Sequence, residues 1–227
     1  MHKIEIINLT YLLLPLGVVG YFYYKWVGNK TEILYASFRM VTQLLLIGYL
    51  LTYIFENKSS LTTTLVIIVM VFSASFITFR NITKKDSSIY LKILISIFIG
   101  GSINLFLVIF FVLDINYLEP RVIIPIAGML YANCMNAVSL VAERFEKEIE
   151  NKNYKDARAV AFKASLIPQI NSFLAVGLVS LPGMMTGQIL SGVDPIIAVR
   201  YQIMVMLMVL GSSGISTILY LFQKSRV

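Results

Sequence analysis

The chain has 227 residues, 58% hydrophobic and only 14% charged, with a mean hydropathy of +0.80 and a formal net charge of +7. Soluble domains are nearer half apolar and a quarter charged, so this composition excludes water as the only solvent and calls for lipid. One cysteine, Cys134, and one histidine, His2, exclude an intramolecular disulfide and a His-based catalytic triad, and they argue against a zinc site.

A bilayer core takes about 20 mostly apolar residues per helix. Runs of that kind occupy residues 6–24, 34–55, 61–79, 91–113, 122–142, 168–190 and 195–222. The expected fold is therefore all-α: a polytopic membrane helical bundle of about seven transmembrane helices, forming a single domain over residues 1–227. The first run lacks a small-x-small cleavage site and reads as a retained helix. Between the runs lie polar breaks such as Gly28-Asn29-Lys30 and Leu118-Glu119-Pro120-Arg121. Before the last run, Asp194-Pro195 reads as N-cap and N1 proline.

Loop charge sets the orientation. With the N-terminus outside, Lys25, Lys30, Arg39, Arg80, Lys84, Lys85, Lys92, Arg144, Lys147, Lys152, Lys155, Arg158, Lys163, Lys224 and Arg226 fall on the cytoplasmic side. Only Lys3, Lys58, Arg121 and Arg200 remain outside, so the bias selects N-out and C-in. The same reading accounts for the net charge without nucleic acid, because no basic run interleaved with aromatics lies outside the spans.

Residues 143–165 stand apart as a long, charged, cytoplasmic stretch. Glu143/Lys147 and Glu148/Lys152 sit at helical i,i+4 spacing. A helix–turn–helix outside the bilayer, turning near Asn151-Lys152-Asn153, is expected, and it offers a docking surface to a soluble partner.

Absent motifs narrow the chemistry. There is no G-x-x-x-x-G-K-[ST] loop for ATP and no G-x-S-x-G or H-E-x-x-H motif. The expectation is a transport protein, not an enzyme, with no cofactor of its own. Polar chemistry placed in lipid is what remains. Asn133, Asn136, Gln169, Asn171, Gln188 and Gln202 concentrate in spans five to seven. Pro182-Gly183 falls in the middle of the sixth run, where proline removes a backbone hydrogen bond and glycine loosens the turn. A kinked or broken helix at the midplane recurs at transporter substrate sites. The expected path or gate comprises Asn133, Asn136, Pro182, Gly183, Met184, Met185, Thr186, Gly187, Gln188 and Gln202. Asp194 and Arg200 are expected to form a charge pair at the outer mouth. Methionines suit soft metals, but Met204, Met206 and Met208 at i, i+2, i+4 cannot share one helix face. No metal ligand set is assigned.

Residues 176–205, with the block Leu181-Pro182-Gly183-Met184-Met185-Thr186-Gly187, closely resemble the signature of the FetB-type permease family, membrane subunits of a putative iron-export ABC transporter. Residues 123–136, with Ile124-Pro125-Ile126-Ala127-Gly128-Met129, are similar to a second family block. The resemblance implies a homodimeric permease working with a separate ATP-binding subunit and exporting iron or another metal; plant relatives are linked to aluminium tolerance. It also implies that Glu150, Asn151, Lys152, Asn153, Tyr154, Lys155 and Asp156 form the ATPase-coupling region, a stretch shorter here than is usual in the family. The alternatives are an ATPase-independent secondary carrier, for which Asp194 is the one modest acidic candidate, and a membrane subunit that transports nothing.

Overall fold

The computed structural model describes residues 5–29, 31–57, 59–82, 85–115 and 119–224; His2, Lys3, Lys30, Lys58, Lys84, Leu118 and Arg226 lie outside them. The chain divides into two compact units, Met1–Asn57 and Lys58–Val227.

In the first unit a 3-10 helix, Ile6–Leu12, runs on into α1 (Leu13–Val27), and α2 (Glu32–Asn57) follows. Gly28 at φ +81 ends α1 in the left-handed conformation that glycine tolerates, its N–H bonding the Tyr24 carbonyl. Across the turn the Tyr23 hydroxyl donates to Glu32 Oε2 at 2.6 Å. Leu, Val and Tyr side chains are exposed along both helices, as suits surfaces that face hydrocarbon.

The second unit holds α3 (Ser60–Arg80), α4 (Ser87–Leu107), α5 (Pro120–Glu148), α6 (Tyr154–Ala175), α7 (Gly183–Leu190) and α8 (Pro195–Lys224). A π-helical turn, Val108–Val112, extends α4. Among the described residues six helices are long and apolar enough to cross a membrane, including the extended α1 and α4, and α6 and α7 are not among them. The sixth expected span, 168–190, is thus divided between α6 and α7, while the seventh is the unbroken α8.

The central column is α5, which packs against α3, α4, α6 and α8. Its buried stripe Ala127, Tyr131, Cys134, Val138, Val141 and Phe145 recurs at three- and four-residue steps and meets Val71, Ile93, Ile97, Ala161 and Tyr220. Lipid tails are as apolar as leucine, so burial alone cannot hold helices together in a bilayer; close packing of small residues does. That device joins α4 to α8. A Cβ on Gly100 would stand 2.1 Å from Ser216 Oγ and 2.8 Å from the Ser216 backbone nitrogen. Beside it, Gly101 lies under the Tyr131 ring, and Gly211 lies against Asn104 Oδ1. At the end of the seam Gln223 Nε2 donates to Ser96 Oγ at 2.8 Å and to the Lys92 carbonyl at 3.3 Å.

These contacts bring the ends of the elements into register. Tyr154, at the start of α6, donates its hydroxyl to the Leu221 carbonyl of α8 at 2.7 Å, so the α5–α6 turn and the α8 C-terminus share one end. Arg80, Lys85, Lys92, Arg144, Lys147, Lys152, Lys155, Arg158 and Lys224 all belong to segments that finish or begin there. By the charge rule this is the cytoplasmic end. The stretch 143–165 is a helix–turn–helix as expected, turning at residues 149–153; its arms are the last turns of α5 and the first turns of α6.

Replacing Gly100 with alanine should destabilise the folded protein by about 1–3 kcal/mol through overpacking of the α4–α8 seam. The same change at Gly17, where nothing lies within 4 Å of the new Cβ, should cost nothing. Thermal unfolding of both variants in one detergent measures the contrast.

Candidate translocation site

The crossing expected over 168–190 is broken, and the break has its own hydrogen bonding. α6 carries Pro168 in its interior and stops at Ala175. The chain then turns through residues 176–182, with Gly177 at φ +82, where a side chain would be strained. The Ala175 carbonyl accepts from the N–H groups of Leu178 (3.2 Å), Val179 (2.8 Å) and Ser180 (3.2 Å), and the Ser180 carbonyl accepts from Gly177 N–H at 3.0 Å. Pro182 has no N–H with which to continue a helix. Its carbonyl accepts from the backbone N–H of Thr186 at 3.0 Å and from the Thr186 hydroxyl at 3.1 Å, which opens α7. The expected mid-helix kink at Pro182-Gly183 is therefore corrected: these residues start a second half-helix.

α7 lies against α8 and separates the methionines onto two sides. Met184 packs with the cluster that contains Met204 and Met208. Met185 and Met206 instead line a cleft of about 360 Å³, with Phe173, Val176, Leu181 and Gln202 among its walls. The periodicity argument against one methionine face holds. A second cleft of about 180 Å³, lined by Asn133, Pro168, Gln169 and Ser172, shares Phe173 and Met206 with the first.

Three amides mark this region. Gln169 and Gln202 are each 6% exposed, and the side-chain carbonyl oxygens of Gln169, Gln188 and Gln202 are buried without a hydrogen-bond partner. Among the described residues, only Gln169 of the three has a side-chain link, its Nε2 donating to Ser213 Oγ at a long 3.4 Å. A buried acceptor left unpaired costs about 1–3 kcal/mol, so such groups call for an explanation other than stability. Asn133 Nδ2 donates to the Met129 carbonyl one turn earlier at 2.8 Å, which leaves its oxygen beside the second cleft.

Other expected residues fall elsewhere. Asn136 is on the exposed side of α5 and lines neither cleft. Gly187 shapes the end of α7, its carbonyl accepting from Ser191 N–H (3.1 Å) and Ser191 Oγ (2.9 Å). The outer-mouth pair is not formed. Asp194 Oδ1 accepts from the N–H groups of Ile196 (2.8 Å) and Ile197 (3.4 Å), capping α8, and among the described residues no ion pair joins it to Arg200. A carboxylate at a helix N-terminus meets free N–H donors and the positive end of the dipole, which outcompete a guanidinium more than a turn away. Arg200 borders a different cleft, with Asn104, Met204 and Met208. Sequence reasoning did not single out Asn104, Phe173 or Ser213; the small-residue run Gly211-Ser212-Ser213-Gly214 was the available signal for the last of these.

At the cytoplasmic end the turn 149–153 is firmly built. Asn153 caps α6, Oδ1 accepting from Asp156 N–H at 2.9 Å, while Asn153 Nδ2 donates back to Asp156 Oδ2 at 2.8 Å. Glu148 bridges Arg144 (2.6 Å) and Lys152 (2.5 Å), and Glu143 pairs with Lys147 at 2.7 Å. The Tyr154 ring meets Phe145 edge-on, with centroids 5.8 Å apart. Glu150, Asn151, Lys152 and Lys155 remain exposed around it. Among the described residues no three His, Cys, Asp or Glu side chains gather at a metal-binding spacing.

The profile of an uncharacterised protein family, UPF0014, matches residues 6–227. The chain is 35% identical over 216 residues to the probable iron export permease protein FetB of Escherichia coli (strain K12), covering 87% of this chain and 81% of that one. It is 33% identical over 213 residues to the UPF0014 membrane protein slr1647 of Synechocystis sp., covering 86% and 82%. It is also 32% identical over 203 residues to the protein ALUMINUM SENSITIVE 3 of Arabidopsis thaliana, covering 82% and 73%. No solved structure matches.

Removing the α6 cap with Asn153→Ala should destabilise the protein by about 1 kcal/mol. Tyr154→Phe, which frees the Leu221 carbonyl, should cost a similar ~1 kcal/mol. Because both changes loosen one turn, their combined loss should fall short of the sum of the two, as a double-mutant cycle of unfolding will read.

Proposed function

The chain belongs to the UPF0014 family, and from that premise we propose that it is the membrane-spanning permease subunit of an ABC transporter, exporting iron or another metal. ATP is hydrolysed by a separate ATP-binding subunit, and two copies of the permease form the working unit. The observation that carries this reading is the divided α6–α7 crossing, with the buried, unpaired amide oxygens of Gln169, Gln188 and Gln202 gathered around it. The relative named as a probable iron export permease supports the cargo class.

In this reading the ATP-binding subunit docks on the turn made by Glu150, Asn151, Lys152, Asn153, Tyr154, Lys155 and Asp156. Tyr154 ties that turn to α8 through the Leu221 carbonyl, and the turn opens directly into α6. A push on the turn therefore moves α6 and the inner end of α8 together. The yielding point is the turn 176–182, where the helical ladder is already interrupted. α7 then shifts against the outer half of α8, and the clefts on either side of Phe173 and Met206 join or close.

The donors facing the clefts are neutral: the amide groups of Asn133, Gln169 and Gln202, and the thioethers of Met185 and Met206. Neutral donors hold a cation more weakly than a carboxylate cage does, which suits passage rather than storage. Met184, Thr186 and Gly187 act in the fold of the gate, and Pro182 and Gly183 fix where α7 begins.

The amides separate stability from function. Gln202→Leu removes an unpaired buried acceptor and should fold as stably as the parent or more so, and Gln169→Leu, which also gives up the long bond to Ser213, should fold about as stably. Efflux should nevertheless fall by about tenfold, ~1.4 kcal/mol at the rate-limiting barrier. Efflux of radioactive iron from cells carrying each variant, set against thermal unfolding, reads both quantities; unchanged efflux sinks the assignment of these amides. Cells lacking this gene should accumulate iron, with rescue only when it is expressed together with the gene for the ATP-binding subunit. Rescue by the permease gene alone would point to a secondary carrier.

A further inference from the structure

A groove of about 460 Å³ opens between α6 and α8 at the cytoplasmic end, far along α8 from the gate. Its walls are Ala159, Phe162, Ile218, Leu221 and Phe222, and Arg158 stands among them. Lys155, Arg158, Ala159, Phe162 and Lys163 follow three- and four-residue steps, so they share one side of α6. The site thus has an apolar floor and a cationic rim, at the basic end of the bundle.

Among the described residues the rim cations have no ion-pair partner. Glu143 pairs with Lys147 and Glu148 with Arg144 and Lys152, while Asp156 accepts a hydrogen bond from Asn153. No ion pair among the described residues reaches Lys155, Arg158 or Lys163. Arg158 is half-buried and positioned rather than trailing in solvent, its guanidinium carbon 5.5 Å from the centroid of the Tyr154 ring.

We infer that this groove is a binding site for an anionic phospholipid of the inner leaflet, with an acyl chain along Phe162, Ile218 and Phe222 and the phosphate on Arg158, Lys155 and Lys163. Basic clefts between membrane helices on the cytoplasmic side take anionic headgroups, and each cation near the surface favours an anionic lipid by about fivefold. A guanidinium can hold a phosphate with two parallel N–H donors, which singles out Arg158 as the central contact. Because Tyr154 carries both the Arg158 stacking contact and the hydrogen bond to Leu221, an occupied groove holds the α5–α6 turn and α8 together. The lipid then acts as a brace for that joint. The inference rests on the cytoplasmic orientation of this end and not on the identity of the cargo.

The test uses the full chain in vesicles, with Trp26→Phe removing the only native tryptophan and Phe222→Trp placing a reporter on the exposed side of the groove. Quenching by brominated phosphatidylglycerol is compared with quenching by brominated phosphatidylcholine. The expected result is a preference of about fivefold or more for the anionic lipid. Arg158→Gln should lower it about fivefold, and Arg158→Lys should restore much of it. Free glycerol phosphate at millimolar concentration should not change the preference; if it abolishes it, the site holds a phosphate ion and the lipid assignment falls. Equal quenching by both lipids would leave only generic acyl contact. No quenching by either would mean that protein, such as a second copy, covers the groove, and either outcome overturns the proposal.

Discussion

The carbonyl oxygen of Ala175 is where the requirements of a bilayer act most directly on this chain. Inside hydrocarbon no water is available to satisfy a backbone group, so a helix can stop at membrane depth only if its last acceptors find other donors. Three N–H groups from the following turn converge on that oxygen, and Gly177 adopts the positive φ that lets the turn close. With the Ala175 oxygen occupied, α6 can end there and α7 can begin after the turn. Pro182 needs no donor and leaves its carbonyl to Thr186. Everything distinctive about the outer half of α8 follows from this: two short surfaces in place of one continuous helix, clefts between them, and buried amide oxygens without a hydrogen-bond partner.

The rest of this unit is built for rigidity. α5 runs through the middle of its unit, and glycine and serine side by side let α4 and α8 approach backbone to backbone. At the cytoplasmic end the turn between α5 and α6 is capped at Asn153, bridged at Glu148 and tied to α8 through Tyr154. A stiff lever attached to an interrupted crossing is a coherent arrangement for transmitting a pull from outside the membrane to its middle. Packed interfaces move between discrete positions rather than deforming continuously, and the turn at 176–182 is the place with least to repack. The exposed Leu178 and Val179 at its tip are 90% and 84% accessible, so their movement breaks little internal packing.

The gap between sequence and structure is sharpest over residues 168–190. Hydropathy reads that run as one span because it sums side-chain transfer energies over a window, and Val176, Leu178, Val179 and Leu181 are as apolar as any helix interior. What ends the helix is local: one glycine free to take φ +82 and one proline without an N–H, seven residues of turn that hydropathy cannot distinguish from helix. Asp194 shows the same limit for charge. Six residues from Arg200 it reads as an ion pair, yet it sits where a helix N-terminus offers two nearer donors. Asn133 and Asn136 look equivalent in sequence, but the angular step between them sends one towards a cleft and the other to the outside of α5.

The sequence by itself determined the solvent, the all-helical class, the positions of the apolar runs, the cytoplasmic end and the family resemblance. Each of these depends on composition, periodicity or a contiguous block of residues, quantities carried along the chain. Only the tertiary structure decided that α5 is the central column, that Gly100 and Ser216 meet, that Tyr154 reaches Leu221 across 67 positions, and that Gln169, Gln202, Met185 and Met206 surround adjoining clefts. Those facts rest on which helix faces come together. In a bilayer that choice is made by small-residue fit and by the pairing of a few polar groups, terms too small and too distributed for any window along the sequence to register.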